Sequence, residues 1–180
     1  HASPSYPSST SLPPAHWPRI ADAITAVKQY RSFEMKPQLV YHGWDEAFLP
    51  ALSGPEQAGI IASQAYFQIL DNPVNKAFTE RYAAMFGADK PINAIGESTY
   101  AATWLYAKAV AKADSTEDDK VIAALPTVEH EAPEGHVNIS AENNHMLCNS
   151  LLGRVTDKAT IEIVENYGQI QPVVPGCTLG

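Results

Sequence analysis

The segment EAPEGHVNISAENNH, residues 131–145, concentrates carboxylate, imidazole and amide side chains, which are the groups that bind metals or transfer protons. His136 and His145, however, lie nine residues apart across turn residues, not at the i, i+4 spacing on a helix that indicates zinc. In a strand, alternate side chains face opposite sides, so Val137 and Ile139 are predicted to face a core and His136 to face outward. The pattern favours a strand between two turns over a metal or acid–base site.

Cys148 and His145 are the other residues that could support catalysis. A thiol–imidazole pair requires the two side chains within hydrogen-bond reach, and an odd offset along a strand places them on opposite faces. The sequence also lacks a G-x-S-x-G nucleophile motif, a Walker motif and G-x-G-x-x-G. The residues alone therefore give little support for an enzyme, a metal site or a cofactor site. An enzyme that relies on His145 or Cys148 is the weaker alternative.

The two cysteines, Cys148 and Cys177, do not form a C-x-x-C pattern, which argues against a zinc or redox site. They are expected either to form a disulfide in an oxidising compartment or to remain as two free thiols.

The loop HGWDE, residues 42–46, is the first candidate ligand site. It follows QLVYHG (38–43), which predicts a short buried strand, and open α/β sheets bind ligands at the carboxyl ends of their strands. The loop supplies the side chains of His42, Trp44, Asp45 and Glu46. The alternative is that the two carboxylates face the positive end of a helix.

Tyr66 is the second candidate, at the end of a strand predicted within 59–67. Its ring and hydroxyl together suit a ligand pocket. A core aromatic residue is the alternative interpretation.

Charge and hydropathy exclude two classes of partner. The net charge is −8 with a pI near 5.1, and the twelve basic residues are scattered, which argues against a nucleic-acid surface. No apolar run approaches the roughly 18 residues of a membrane helix. The chain begins at His1 without a signal region, so we expect a processed chain or a piece of a longer one.

Helical signals dominate the first two thirds of the chain. A Pro/Ser-rich arm (1–19) precedes an apolar face that begins at Ile20 and ends near Arg31–Phe33. Pro73, after Asp71 and Asn72 as possible N-caps, begins a helix that Gly87 ends. Its predicted buried stripe is Val74, Ala77, Phe78, Tyr82, Met85 and Phe86. Further helices are predicted over 94–113 and 115–125.

After Leu125, β-forming residues alternate between Gly, Pro and Asn-Asn turn signals, and Asp157–Lys158 suits a hairpin turn. Helices and strands that alternate before a β-rich tail predict an α/β fold with a mostly parallel sheet covered by helices.

Several motifs resemble a known family. YFQILDNPVNKAFTERYAAMFGADKPINAIGESTYAATWLYAKAV (66–110) is similar to the closing section of type I periplasmic solute-binding proteins. The segments EAPEGHVNISAENNH, LLGRV and IEIVENYGQIQP resemble the short-chain amide and urea branch of that family. This branch includes ABC transporter receptors and a cytosolic amide-sensing regulator of the aliphatic amidase operon.

The resemblance implies two Rossmann-like α/β lobes with three-layer α/β/α architecture, joined by crossing strands. It also implies a protein that is not an enzyme, that uses no metal or cofactor and that performs no chemistry on the ligand. It covers about residues 20–175 and only the C-terminal half of the family, so a partial fold with a β-rich C-terminal tail is expected. On this basis 20–66 and 126–180 belong mostly to lobe two and 67–125 to lobe one.

The function implied is that of a periplasmic or extracellular solute-binding component of an ABC transporter for short-chain amides, urea or branched-chain amino acids. The alternative is a cytoplasmic amide-sensing protein that controls a regulatory partner. Ligand contacts are predicted from His42, Trp44, Asp45, Glu46 and Tyr66. Expected partners are the membrane components of the transporter or the regulatory partner, and exposed strand edges predict a homodimer.

Overall fold

The structure is a computed structural model that describes residues 20–171. The chain divides into two compact units, residues 1–35 and 36–180. The described part of the first unit contains helix α1 (Ile20–Ser32), on which Ala23 and Val27 are buried, as the predicted apolar face requires. The predicted arm at 1–19 lies outside the described residues.

The second unit contains the remaining helices. These are α2 (Gly54–Gln57), α3 (Pro73–Phe86), α4 (Ala94–Ala113) and α5 (Asp118–Ala124), with short 3₁₀ turns at Leu49–Ala51 and Leu125–Thr127. The predictions for α3 and α4 are confirmed, and the Asn72 and Asn93 side chains cap their first turns by accepting the Asn75 and Gly96 N–H groups. Helix α5 begins at Asp118, later than the predicted start at residue 115. The reason is that Ser115 caps a turn ahead of the helix by accepting the Glu117 N–H.

The second unit also contains five described strands, β1 (Ile61–Gln64), β2 (Glu129–Ala132), β3 (Gly135–Ile139), β4 (Met146–Val155) and β5 (Ile161–Ile170). Their order is β1-β4-β3-β2, and β5 also pairs with β4. All of these pairs are antiparallel, so the prediction of a mostly parallel sheet is wrong for the described strands. The reason is that short turns connect β2 through β5, and a hairpin can join only antiparallel neighbours.

The predicted buried strand over 38–43 is also wrong. Val40 forms one parallel bridge with Ile61 and is 61% exposed. Gly43 adopts a φ of 100°, which turns the chain directly after the bridge. The apolar run therefore contributes an isolated bridge beside β1 and no full strand.

Two of the hydrophobic clusters in the described part of the second unit lie against α4. One joins α4 and α5 to β2 and β3 and consists of Ala101, Leu105, Ala109, Val121, Val128, Ala132 and Val137. The other lies between α3 and the start of α4 and consists of Tyr66, Phe78, Ile92 and Ala94.

The stripe predicted on α3 is partly wrong. Phe78 is buried, but Val74, Met85 and Phe86 are exposed, Met85 to 74%. The inward face centres on Phe78 and on Asn75, a polar residue that the apolar pattern does not include.

Candidate functional site

The loop 42–46 is held by a buried tryptophan. Trp44 stacks on Phe48 with 4.7 Å between ring centroids and meets the Tyr41 ring edge-on at 5.5 Å. Its Nε1 donates to Gln57 Oε1 at 3.4 Å, and the Gln57 amide donates in turn to the carbonyls of Leu49 and Leu52. Trp44 thus fixes the loop against the 3₁₀ turn and α2.

Asp45 connects this loop to α4. Its Oδ1 accepts the Ala47 N–H and its Oδ2 accepts the Ala94 N–H, each at 3.0 Å. Burial raises the pKa of Asp45, while the two backbone donors lower it. The carboxylate therefore lies at the positive end of a helix, as the alternative interpretation held, and that helix is α4.

Glu46 carries an acceptor that no described group satisfies. Its Oε1 accepts the Ile69 N–H at 3.3 Å, whereas Oε2 is buried and has no hydrogen-bond partner among the described residues. Burial is the main cause that raises the pKa of Glu46 to about 7, and the charge of Asp45 adds to it.

Tyr66 is fully buried, and its hydroxyl donates to Asn75 Oδ1 at 2.8 Å. The pKa of Tyr66 is raised first by burial and then by the charges of Glu46 and Glu97. His42, by contrast, is exposed, and its Nδ1 lies 3.0 Å from the Ser63 carbonyl. Four of the five predicted site residues are thus buried, and His42 lies at the surface.

An open groove of about 360 Å³ lies between the end of β1 and the start of α4. It is lined by Gln64, Ala65, Ala94, Ile95, Ser98, Thr99 and Ala102. Two of the five predicted residues adjoin this lining: Tyr66 follows Ala65 in the chain, and Asp45 binds the Ala94 N–H. Sequence reasoning missed the lining itself, for which the only signal was Ser98-Thr99 in an otherwise Ala-rich helix.

A second cavity, of about 330 Å³, lies between α3 and α4 and is lined by Phe78, Arg81, Tyr82, Met85, Phe86, Gly96 and Tyr100. Its lining is almost entirely aromatic and aliphatic. A site for a small polar ligand needs several convergent polar groups, so the groove beside β1 is the better candidate.

Sequence reasoning also missed a buried pair of carboxyl groups. Glu97 of α4 is 0% exposed and Glu134 of the β2–β3 turn is 2% exposed. The Glu134 N–H donates to Glu97 Oε1 at 3.1 Å, and the Asn149 N–H donates to Glu134 Oε2 at 2.9 Å. Burial is the main cause that raises the pKa values, to about 8 for Glu97 and about 7 for Glu134.

The segment 131–145 forms the predicted strand between two turns. Val137 is buried, and His136 is exposed with its Nδ1 2.7 Å from Glu131 Oε1. In the described part of the chain, no group of three or more His, Cys, Asp or Glu residues is arranged to hold a metal ion. Burial raises the pKa of Cys148, and the prediction about Cys177 lies outside the described residues.

A family model and several solved structures are similar to this chain, and they point to the same family. The family described as periplasmic binding protein matches residues 18–160. The leucine-, isoleucine-, valine-, threonine- and alanine-binding protein of Brucella ovis superposes with a TM-score of 0.74 at 14% identity, over 87% of this chain and 44% of that one. A solute-binding protein of an ABC transporter from Rhodopseudomonas palustris BisB5, in complex with 3,4-dihydroxybenzoic acid, gives a TM-score of 0.69 at 20% identity, over 84% and 43% of the two chains.

A curated relative from Geobacillus stearothermophilus with the name limonene hydroxylase is 29% identical over 119 residues, which are 66% of this chain and 22% of that protein. The chain spans less than half the length of each of these proteins, which agrees with the predicted partial fold. In the part of the chain that the structure describes, no helix is long and apolar enough to cross a lipid bilayer. The family match covers most of the sequence, and the solved structures share its α/β fold, so the resemblance predicted from the sequence is confirmed: this chain belongs to the type I periplasmic binding protein family.

Proposed function

We propose that this chain is part of the solute-binding component of an ABC transporter and that it captures a short-chain amide, urea or a branched-chain amino acid. The observation that carries the proposal is the open groove between β1 and α4, whose lining residue Ala94 donates its N–H to Asp45 of the loop 42–46. One wall presents the Gln64 amide, and the other presents the Ser98 and Thr99 hydroxyls beside the aliphatic Ile95. A small molecule with a polar head and a short apolar end matches these groups.

The loop residues supply the remaining contacts in this proposal. His42 is the exposed group at the edge of the loop, and Glu46 Oε2 is an acceptor without a partner among the described residues, suited to an amide or ammonium N–H. The hydrogen bonds of Trp44, Asp45 and Tyr66 fix the positions of the loop and of the start of α4. Capture is non-covalent, and a closed state of the receptor is populated because the ligand binds it more tightly than the open state.

This function places the protein in the periplasm or outside the cell, where it would deliver its ligand to the membrane components of a transporter. The Brucella ovis structure is named for amino acids and the Rhodopseudomonas palustris structure contains an aromatic acid, so the family alone does not select the ligand. The polar hydroxyl and amide lining supports the amide, urea and amino-acid classes over an aromatic acid.

The test is calorimetric titration with acetamide, urea and leucine of this chain and of the longest receptor polypeptide that contains it. We expect heat of binding with at least one of these ligands in the longer polypeptide. Gln64→Ala and Ser98→Ala should each weaken binding by about fivefold, because a net hydrogen bond contributes about 1 kcal/mol.

The matched control is Thr103→Ala, an exposed threonine one turn further along α4 and outside the groove, which should leave the affinity unchanged. Absence of binding to all three ligands by both polypeptides would overturn the proposal. Unchanged affinity in the Gln64 and Ser98 variants would remove the groove as the site.

A further inference from the structure

The carboxyl groups of Glu97 and Glu134 each have one oxygen that a backbone N–H satisfies. Glu97 Oε1 accepts from Glu134, and Glu134 Oε2 accepts from Asn149. The remaining oxygens, Glu97 Oε2 and Glu134 Oε1, are buried without any donor among the described residues. An ionised carboxylate can only accept hydrogen bonds, so two ionised groups would leave both oxygens unsatisfied.

The two carboxyl groups are neighbours in the fold, because the backbone N–H of Glu134 binds Glu97 Oε1 at 3.1 Å and each side chain keeps one buried oxygen without a partner among the described residues. We infer that the two carboxyl groups are joined by a hydrogen bond. Such a bond needs one proton, carried by one carboxyl and accepted by the other. That single proton would satisfy both unpartnered oxygens at once. It would also remove one of two buried like charges, neither of which forms an ion pair within the described residues.

The other titratable groups nearby are neutral or acidic. Burial raises the pKa of Cys148 of β4, and the charges of both carboxylates add to this rise. The charges of Glu46 and Glu97 likewise add to the rise in the pKa of Tyr66 that burial causes. Asn149 contributes only amide groups, with its Nδ2 donating to the Glu134 carbonyl at 3.2 Å. Among the residues that the structure describes, no ion pair supplies a positive charge that would stabilise a second carboxylate here.

We propose that Glu97 and Glu134 share one proton, and that this proton holds the first turns of α4, one wall of the groove, against the β2–β3 turn and β4. Glu97 and Glu134 are positioning residues in this proposal, because Glu97 lies directly before Ser98, which lines the groove. The effect on ligand capture rests on the proposed function, whereas the effect on stability does not.

The direction of the pH dependence follows from the raised pKa values, about 8 for Glu97 and about 7 for Glu134, against an ordinary value of 4.5. Between about pH 4.5 and pH 8 the folded chain binds more protons at this pair than the unfolded chain does. The pair therefore stabilises the fold most at the acidic end of this window, and its contribution is lost as the pH rises through the folded pKa values.

The decisive variant is Glu97→Gln, whose amide imitates the protonated acid: its Oε1 accepts from Glu134 N–H and its Nε2 donates to Glu134 Oε1 at any pH. We expect the wild-type Tm to fall by at least about 3 °C from pH 6 to pH 9, and the Glu97→Gln Tm to fall by less than half as much. Glu80→Gln, at an exposed glutamate of α3, should reproduce the wild-type profile.

Glu134→Gln also removes the second charge and provides an independent variant if Glu97→Gln does not fold. Parallel profiles for wild type and the folded Gln variant would overturn the shared proton. If a ligand is bound at pH 6, its affinity should fall at pH 9 in the wild type and less in the variant. If the affinity changes equally in both proteins, the pair affects the stability of the fold and not ligand binding. If neither protein binds a ligand, the result counts against the proposed function, and the Tm comparison still tests the shared proton.

Discussion

At the scale of single residues, Asn75 has the largest set of polar contacts in the region of the site. Its Oδ1 accepts the Tyr66 hydroxyl, and its Nδ2 donates to the carbonyls of Gln68 and Leu70 at 2.9 and 2.7 Å. Its backbone N–H donates to the Asn72 side chain. One buried amide thus connects the end of the β1 segment to the first turn of α3.

Asn75→Ala should lower the free energy of unfolding by about 2–4 kcal/mol, because it leaves the Tyr66 hydroxyl and two carbonyls without partners. Tyr66→Phe should cost only about 1–2 kcal/mol, since Asn75 keeps its two carbonyl acceptors. Urea unfolding measures both values. Thr79→Ala, on the same helix, is the control and should cost far less. Equal costs for the Asn75 and Tyr66 variants would contradict this assignment.

At the scale of elements, the ends of α3 could be predicted because their signals are local: an Asn72 cap, Pro73 at the first position and Gly87 at the end. The roles of Asp45 and Glu97 could not be predicted. Asp45 bonds to Ala94, 49 positions away, and Glu97 bonds to Glu134, 37 positions away, so their environments depend on the tertiary fold. The loop 42–46 could be predicted from its residue types. The groove lining could not, because it depends on where the fold places α4 relative to the end of β1.

The prediction of parallel strands was wrong for a related reason. Alternation of helices and strands predicted a parallel sheet, yet β1 pairs with β4, which lies far along the sequence and runs antiparallel to it. The hairpin signal at Asp157–Lys158 was local and is confirmed by the antiparallel pairing of β4 with β5.

Gly153 shows how closely β4 approaches the segment after β1. A Cβ at this position would lie 2.7 Å from Phe67 Cζ and 3.0 Å from Ile161 Cγ2. Gly153→Ala should therefore destabilise the fold by about 1–3 kcal/mol through overpacking. In a double-mutant cycle with Phe67→Leu, the combined cost should be smaller than the sum of the single costs, because the shorter side chain makes room. Ser150→Ala on the same strand is the control, and strict additivity would argue against the contact.

At the scale of the whole molecule, three buried carboxyl groups have pKa values raised to about 7 or 8, those of Glu46, Glu97 and Glu134. They lie on three different segments, and together they retain about one to two protons that an unfolded chain would release at neutral pH. The homodimer expected from exposed strand edges stays a prediction at this scale, which sedimentation equilibrium of the chain would check.

Unfolding of the chain by urea at pH 7 should release between about one and two protons, because Glu46 and the pair that shares one proton return to their ordinary pKa values. The release is measured as the base needed to hold the pH of a weakly buffered solution. Glu97→Gln should reduce it by about one proton, and Glu80→Gln should not change it. No net release by the wild type would show that these carboxyls are ionised in the folded chain.

The strand β4 has a role that its neighbours do not share. Its start pairs with β3 at Met146 and Leu147, its later part pairs with β1, and its register with β5 shifts between Asn149 and Leu151 and again between Leu152 and Gly153. A change of twist along these few peptide units would reorient the β2–β3 hairpin relative to β1. Among the described strands, β4 is therefore the one that joins β1 and β5 to the β2–β3 hairpin.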